Sequence, residues 1–384
     1  MTAVTLSDRD RYWSLAAIIA GGFGTGMGVG SVLPLLTLLM EREGASPLFI
    51  GLNAAMFPLA VLCFGAFVPR VARALGTLPA IYLSIAVFAS VIPLYWATDI
   101  WVWFPLRFVA GCAGALYWIV SETWINLVAT DRNRGRVTAI YATVLTAGFT
   151  LGPLIISAVG IDGFAPFGIA LAASLVVLLP MPFVRRLAPD LSKQAPMRLR
   201  RALAMAPLIM LAVVAGGCID MAIIALLPIY GLQGGLDWRS ATMLLSIFTA
   251  GHMVLQLPLG WIADHVDRFR LLICLMGLTL AGAILLPMLS DTRWPLWILL
   301  FFWGGMVFGL YTIALALLGE RFPAGELAAA NALFVMVYEA GSLAGPVLAG
   351  GAMDVMGRQG MPLVAGIVAA AFLGAIAVRR IRQG

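Results

Sequence analysis

Residues 239–290 read RSATMLLSIFTAGHMVLQLPLGWIADHVDRFRLLICLMGLTLAGAILLPMLS. This stretch consists of two apolar runs, 239–262 and 269–290, joined by the short charged sequence ADHVDR. Each run is long enough for an α-helix to cross the hydrocarbon core of a bilayer, which takes roughly 20 residues. The stretch therefore predicts two membrane-spanning helices connected by a tight, charged loop.

The composition is that of a membrane protein along the entire chain. Of the 384 residues, 62% are hydrophobic and 11% are charged, and the mean hydropathy is +1.01. Soluble domains are about half apolar and about a quarter charged, so a soluble enzyme with a single membrane anchor is excluded. The apolar runs that could span a bilayer number twelve and lie at roughly 12–40, 47–69, 77–98, 101–126, 137–160, 164–184, 203–231, 239–262, 269–290, 294–319, 327–351 and 361–378.

Little of the chain is left outside these runs. Twelve spans of roughly 22 residues leave about 120 residues for all connections and both tails, which is too little for a soluble domain. The predicted fold class is an all-α membrane protein with twelve transmembrane helices.

The basic residues predict the orientation in the membrane. Nineteen of the 24 fall on the tails and on connections that share one side with them, four fall on the opposite side, and Arg107 lies within a span. Cytoplasmic loops collect Lys and Arg, so both termini are predicted to be cytoplasmic in the bacterial inner membrane. The net charge of +6 and the pI near 9.5 then follow from topology and do not indicate a nucleic-acid partner.

A basic, proline-containing stretch at 185–202 divides the chain almost in the middle. We interpret it as a cytoplasmic linker between two six-helix bundles, 1–184 and 203–384. Duplicated halves of this kind are common among membrane transporters.

Short matches between the halves support the duplication. The sequence AGG at 20–22 recurs at 215–217, and a glycine-proline pattern, G-x-x-x-G-P, at 148–153 recurs at 341–346, an offset of 193 residues. Repeats at the similar offsets of 195 and 193 residues favour two copies of a single bundle related by pseudo-two-fold symmetry.

The loop at 260–268, GWIADHVDR, resembles the signature loop of the major facilitator superfamily, G-x-L-A-D-x-x-G-R-K. The segment 107–111, RFVAG, is similar to the R-x-x-x-G motif of its fourth span, and 148–153 is similar to the G-x-x-x-G-P motif of its fifth. The corresponding first-half loop at 65–73 departs from the signature because Pro69 stands at the position of the acid. The resemblance therefore gives no support for a gating salt bridge in the first half.

Two further segments, ETWIN at 122–126 and NRGRV at 133–137, resemble a bacterial branch of the same superfamily that lies near copper importers and flavin importers. The resemblance implies alternating access by two rocking bundles around a central binding site. It also implies a set of gating residues at helix ends and helix crossings: Glu122, Arg136, Gly152, Pro153, Gly260, Asp264, Asp267, Arg268, Gly345 and Pro346.

Ionisable groups within spans are costly and tend to line cavities or to be paired. At about 1.5 Å per residue, Glu339 and His252 lie roughly 20 Å deep, near the midplane, with Asp220 somewhat toward the outer side. Arg107 lies near the outer end of its helix, where it has room to snorkel outward, although its motif suggests a buried role. We expect these four residues to bind substrate or couple protons, although a purely structural pairing is the alternative for each.

Tyr117 and Tyr338 lie deep in their helices and are candidates for stacking on a substrate, with core packing as the alternative. The glycine-rich run at 22–30 has the spacing of close helix packing and lacks the preceding strand of a nucleotide-binding loop.

The four cysteines have no C-x-x-C spacing, so no zinc site or disulfide framework is expected. The soft donors Cys218, Met221, His252 and Met253 leave a copper importer as an alternative, because they keep about half of the M-x-x-x-M and H-x-x-x-M patterns of copper importers. A flavin-like metabolite is a second alternative substrate.

The leading hypothesis is a proton-coupled secondary transporter of a small molecule. The chain has no Walker sequence for ATP and no HExxH or GxSxG motif of an enzyme, so an intramembrane enzyme is disfavoured. A transporter-like sensor is disfavoured by the short tails. We expect a monomer that requires no cofactor and whose partners are its substrate, protons and membrane lipids.

Overall fold

The computed structural model describes residues 8–129, 134–187, 207–321 and 324–383, and within these ranges it contains helices and no strands. The α-helices are α1 (Asp8–Arg42), α2 (Pro47–Phe64), α3 (Val68–Leu75), α4 (Thr77–Ala97), α5 (Trp103–Val128), α6 (Arg134–Val159), α7 (Ala165–Val176), α8 (Pro207–Gln233), α9 (Trp238–His265), α10 (Arg268–Leu289), α11 (Arg293–Arg321), α12 (Ala324–Met356) and α13 (Gly360–Gln383). Short 3-10 turns lie at Gly65–Phe67, Met181–Leu187 and Gly357–Gln359.

Eleven helical segments of the described residues are long and apolar enough to cross a membrane. The last of them, Leu333–Arg379, has 47 residues and includes most of α12 and α13 with the turn between them. At about 1.5 Å per residue it is far longer than one bilayer crossing, so it accounts for two of the twelve predicted spans. The predicted all-helical membrane fold is confirmed.

The first-half counterpart of the signature loop forms a helix of its own. A 3-10 turn ends α2, and Pro69 lies in the first turn of α3, where its missing N–H costs nothing. α3 buries Val68 and Ala72 and ends at Gly76, whose φ of +89° suits a residue without a side chain. The segment is therefore a short amphipathic helix instead of an open loop.

The chain divides into two compact units. The first unit contains the described residues of Met1–Val32, Ala60–Ile155 and Val159–Ala195. The second contains those of Leu33–Leu59, Ile156–Ala158 and Pro196–Gly384. The division into 1–184, a linker and 203–384 remains a prediction, and the linker at 185–202 lies largely outside the described residues.

In the first unit, glycines bring α1 against α6. A Cβ built on Gly26 would meet the carbonyl oxygen of Leu145, and one on Gly152 would meet the backbone of Gly30. Backbones come this close only where neither helix has a side chain at the crossing. The glycine-rich run of α1 thus serves helix packing, as its spacing predicts.

The second unit repeats this arrangement with α8 and α12. A Cβ on Gly217 would meet the carbonyl oxygen of Tyr338, and one on Gly345 would meet that of Cys218. Each unit therefore packs one long helix against the helix with the G-x-x-x-G-P pattern. This contact fixes the position of the polar residues of α8 and α12.

A second close crossing in this unit joins α9 and α11. A Cβ on Gly251 would meet the carbonyl oxygen of Phe301, and one on Gly304 would meet that of Phe248. Trp303 is buried beside them and donates its indole N–H to the carbonyl oxygen of Thr279 in α10, at 2.9 Å. The four helices α8, α9, α11 and α12 thus hold the residues described next.

Candidate functional site

Asp220 lies on α8, an otherwise uncharged helix of 27 residues, and only 4% of its surface is exposed. The close crossing of α8 and α12 places it beside Tyr338, whose hydroxyl donates to Oδ2 of Asp220 at 2.6 Å. A carboxylate so deeply buried needs partners, since an unpaired charge in an apolar interior is strongly unfavourable. Tyr338 provides one of them.

His252 on α9 provides the second contact. Its Nε2 lies 3.4 Å from Oδ1 of Asp220, and both side chains are 5% exposed. Phe248 meets the imidazole edge-on at 4.7 Å, and the ring of Phe308 lies nearly parallel to it at 4.9 Å. The histidine is thereby held with one edge toward the carboxylate and its ring against two aromatic rings.

The aromatic contacts lead from His252 back to Asp220. Phe308 and Tyr311 on α11 are parallel to within 9° with centroids 5.6 Å apart, and Tyr338 meets Tyr311 edge-on at 5.0 Å. We call Asp220, His252, Phe308, Tyr311 and Tyr338 the central cluster. Four helices contribute to it, so its geometry depends on their mutual packing.

The two facing atoms of the pair, Oδ1 of Asp220 and Nε2 of His252, make no hydrogen bond of good geometry with any residue in the described ranges. Their separation of 3.4 Å is slightly longer than a typical hydrogen bond. A proton placed on either atom would let the two shorten this contact. Chemically, the arrangement suits the binding and release of a single proton.

Glu339 follows Tyr338 on α12 and is half-exposed. It interacts electrostatically with the Tyr338 hydroxyl. Gln256 and Thr312, also half-exposed, form a hydrogen bond of 3.4 Å between α9 and α11. These polar groups lie on three of the four helices that form the central cluster.

The other two predicted binding residues lie in the first unit. Arg107 is 3% exposed and interacts electrostatically with the buried Tyr95; it does not snorkel. Tyr117 is 2% exposed, and its hydroxyl approaches Gly21 closely enough that a Cβ there would lie 2.7 Å from it. Arg107 thus occupies a buried polar position, while Tyr117 packs on the glycine-rich part of α1.

Arg268 is the centre of the second-half signature loop. Its guanidinium contacts Asp264 at 3.0 Å and Glu320 at 2.7 Å, and Nε donates to the carbonyl oxygen of Ala263. Asp267 accepts from the amide of Arg270 and so caps α10. The loop therefore links the end of α9, the start of α10 and the end of α11.

The remaining predicted gating residues are distributed along helices. Gly152 and Gly345 lie at the two close crossings, with Pro153 and Pro346 next to them inside α6 and α12. Glu122 is exposed on α5, and a Cβ on Gly260 would meet nothing within 4 Å in the described chain. The side chain of Arg136 lies outside the described residues.

The alternative copper donors lie on α8 and α9, the helices that carry Asp220 and His252. Cys218 is buried against Gly345, while Met221 and Met253 are half-exposed. Within the described ranges, no three His, Cys, Asp or Glu side chains come together to hold a metal ion. Methionine sulfur is also a ligand for copper, and copper import stays a prediction.

Sequence reasoning missed Phe248, Phe308, Tyr311, Gln256 and Thr312. A signal existed in their spacing, because Phe248, His252 and Gln256 recur every four residues on one face of α9. Aromatic residues at helical spacing are so common in membrane helices that this signal was indistinct.

The family model for the Major Facilitator Superfamily matches residues 18–311 and 239–383. The MFS-type transporter YfkF of Bacillus subtilis (strain 168) is 27% identical over 335 residues, which is 85% of either chain. The MFS-type transporter YcaD of Escherichia fergusonii is 30% identical over 281 residues, covering 71% of this chain and 72% of YcaD. Among solved structures, the nucleoside transporter NupG matches with a TM-score of 0.76 at 14% identity, over 95% of this chain and 99% of that one.

Proposed function

Since the chain belongs to the major facilitator superfamily, we propose that it moves a small molecule across the bacterial inner membrane by alternating access, driven by protons. The superfamily and the related chains are transporters. Proton coupling and the inner-membrane location, with both termini in the cytoplasm, are our proposals. The substrate enters as a diffusible ligand, and no cofactor takes part.

The observation that carries proton coupling is the contact between Asp220 and His252, 3.4 Å apart and 5% exposed. Together the two side chains offer two sites for one exchangeable proton. With the proton bound, the pair is either two neutral groups or an ion pair, and without it the pair carries one negative charge. A buried charge is tolerated only when hydrated or paired, so gain or loss of the proton biases the packing of the four surrounding helices.

Tyr338 positions the carboxylate for this role. Its single hydroxyl proton is donated to Oδ2 of Asp220, which leaves Oδ1 directed toward His252. Because Tyr338 also contacts Tyr311, a change in the protonation of Asp220 is passed through Tyr338 to Tyr311. Proton binding and substrate binding are coupled through this contact.

The signature loop has a conformational role in the proposal. Arg268 links three helix ends through Asp264 and Glu320, and such links stabilise one state of a transporter over another. Arg107, a buried cation of the first unit, is proposed to contact the substrate or an acid in one state of the cycle.

The experiment is transport by purified protein in proteoliposomes, using whichever compound stabilises the protein in a thermal-shift screen. We expect an imposed pH gradient to drive accumulation in the wild type. Asp220→Asn should abolish this accumulation yet retain counterflow exchange of the same compound, which needs substrate binding and no proton gradient. Accumulation that ignores both the pH gradient and the substitution would show that protons are not the coupling ion.

A further inference from the structure

The short helix α3 lies at the surface of the membrane. The helix before it, α2, has 18 residues, and at about 1.5 Å per residue its length is close to the thickness of the hydrocarbon core, about 30 Å. The chain then forms a 3-10 turn and α3, reverses at Gly76 and enters α4 at Thr77. Because α3 also packs against α4 and α5, its position at this end of the first unit is fixed.

One face of α3 is buried, and the other exposes two arginines between two large apolar side chains. Arg70 and Arg73 are exposed, while Phe67, just before the helix, is 52% exposed and Leu75, at its end, is 45% exposed. We call these four residues the α3 surface. Helices that lie in the membrane interface have this composition, since their charges reach the lipid headgroups and their apolar side chains reach the acyl chains.

The guanidinium groups of the α3 surface are positioned by neutral partners. Arg70 donates from Nη1 to the carbonyl oxygen of Ala66 at 3.4 Å and lies over the ring of Phe67, 5.7 Å from its centroid. Arg73 donates from Nε to the carbonyl oxygen of Pro69 at 3.1 Å. These contacts orient both side chains without neutralising their charges. Residues three apart on a helix are neighbours, so the two arginines can bind one phosphate group together.

The charge of the surrounding sequence favours an anion from outside the protein. The segment 65–76, which contains α3, has two arginines and no acid, and the connections 129–136 and 185–202 on the same predicted side are themselves net basic. In the second half, by contrast, the arginine of the signature loop lies against two carboxylates of the protein. The first half has a proline at the position of the acid.

We propose that the α3 surface binds the headgroup of an anionic phospholipid, whose phosphate takes the place that acids of the protein have in the second half. Arg70 and Arg73 contact the phosphate, and Phe67 and Leu75 contact the upper part of the acyl chains. Anionic lipids of the cytoplasmic leaflet attract basic segments at this level of the membrane. The lipid site goes beyond the proposed transport and does not depend on it.

The test measures binding of phosphatidylglycerol to the purified full-length protein in a neutral detergent. After replacement of the four native cysteines, an environment-sensitive fluorophore on Ala74→Cys, an exposed position of α3, reports the binding. Mixed micelles of phosphatidylglycerol should shift its emission along a saturable curve that weakens at high salt. Phosphatidylcholine micelles and free glycerol phosphate should not. Equal shifts with both lipids, or saturation by glycerol phosphate, would overturn the proposal.

Variants locate the lipid site. Arg70→Gln and Arg73→Gln should each weaken the binding about fivefold, and both together roughly 30-fold, the effect of one and of two basic charges near an anionic lipid surface. Lysine at both positions keeps the charge and should retain most of the binding. The matched control is Arg270→Gln combined with Arg379→Gln, which removes the same charge from two exposed arginines on the same predicted side.

A further variant separates the apolar contact from the charge. Phe67→Ser should weaken the binding and leave its salt dependence unchanged, because it removes an apolar contact and no charge. An equal loss in the control pair would indicate general charge attraction and contradict a site at α3. Unchanged binding after loss of both Arg70 and Arg73, with the protein still monodisperse, would also contradict it. Neither result bears on the transport assay, which uses different variants and a different measurement.

Discussion

At the scale of single residues, Tyr338 holds one oxygen of the buried Asp220 carboxylate. Tyr338→Phe removes that donor and keeps the ring that contacts Tyr311. A buried acceptor that loses its hydrogen-bond donor costs about 1–3 kcal/mol, so we expect the free energy of unfolding to fall by at least about 1 kcal/mol. Denaturant unfolding in detergent measures it, with Tyr12→Phe as the control, because Tyr12 is 70% exposed. Equal effects of the two substitutions would contradict a buried hydrogen bond at Tyr338.

The chemistry of the candidate site is visible in the sequence, but its pairing is not. Asp220, His252 and Glu339 stand out because ionisable residues within spans are rare. Counting residues along each helix gives depth, and it groups His252 with Glu339. In the structure His252 contacts Asp220, because the rotation of each helix about its axis and the choice of neighbour depend on packing that a single sequence does not encode in a readable way.

At the scale of helices, two glycines of α9 give opposite expectations for the same substitution. Gly251→Ala would push a methyl group into the backbone of Phe301, whereas Gly260→Ala would meet nothing within 4 Å in the described chain. Overpacking of this kind costs about 1–3 kcal/mol, so we expect a lower unfolding midpoint for Gly251→Ala. Gly260→Ala should leave the midpoint unchanged or slightly raised, since alanine is the better helix former. An equal drop in the unfolding midpoint of both variants would show that Gly260 also lies in a tight contact.

The contacts of the arginines near the helix ends differ between the two halves of the chain. Arg268 contacts Asp264 and Glu320, while Arg70 on α3 donates to the carbonyl oxygen of Ala66 in its own helical segment. Glu320→Gln should therefore lower the free energy of unfolding at low salt by up to about 1 kcal/mol, the value of an exposed pair, and with it the unfolding midpoint. High salt should abolish the difference by screening.

The matched variant in the first half is Arg70→Gln, which removes no ion pair in the described residues. We expect it to leave the salt dependence of the midpoint unchanged. A salt-dependent loss in Arg70→Gln as large as that in Glu320→Gln would mean that the first half has an ion pair of its own, despite Pro69.

The helices themselves were predictable, because their length and hydrophobicity are set by the thickness of the bilayer. The predicted runs 77–98 and 269–290 correspond to Thr77–Ala97 and Arg268–Leu289. The short helix α3 was not predicted, since eight residues that include a proline and two arginines resemble a loop as much as an amphipathic helix. Its burial of Val68 and Ala72 depends on tertiary contacts.

At the scale of the whole molecule, the glycine repeat and the distribution of charge are the two patterns that the sequence carries most clearly. The repeat corresponds to an observed feature, the close crossing of α1 with α6 and of α8 with α12. The charge distribution predicts orientation, which depends on the membrane as well as on the protein. Orientation therefore needs a measurement in cells.

Single cysteines at the ends of spans provide that measurement, after the four native cysteines have been replaced. Glu43→Cys and Asp99→Cys should react with a membrane-impermeant maleimide in intact bacterial spheroplasts, whereas Arg73→Cys and Arg270→Cys should react only after lysis. Nineteen of the 24 basic residues lie on the predicted cytoplasmic side, and moving one positive charge outward against the membrane potential costs about 2.3 kcal/mol per 100 mV. Because this cost adds up over many arginines, one orientation should dominate. Labelling of all four sites in intact spheroplasts, or the inverse pattern, would show that the basic residues do not determine the topology of this chain.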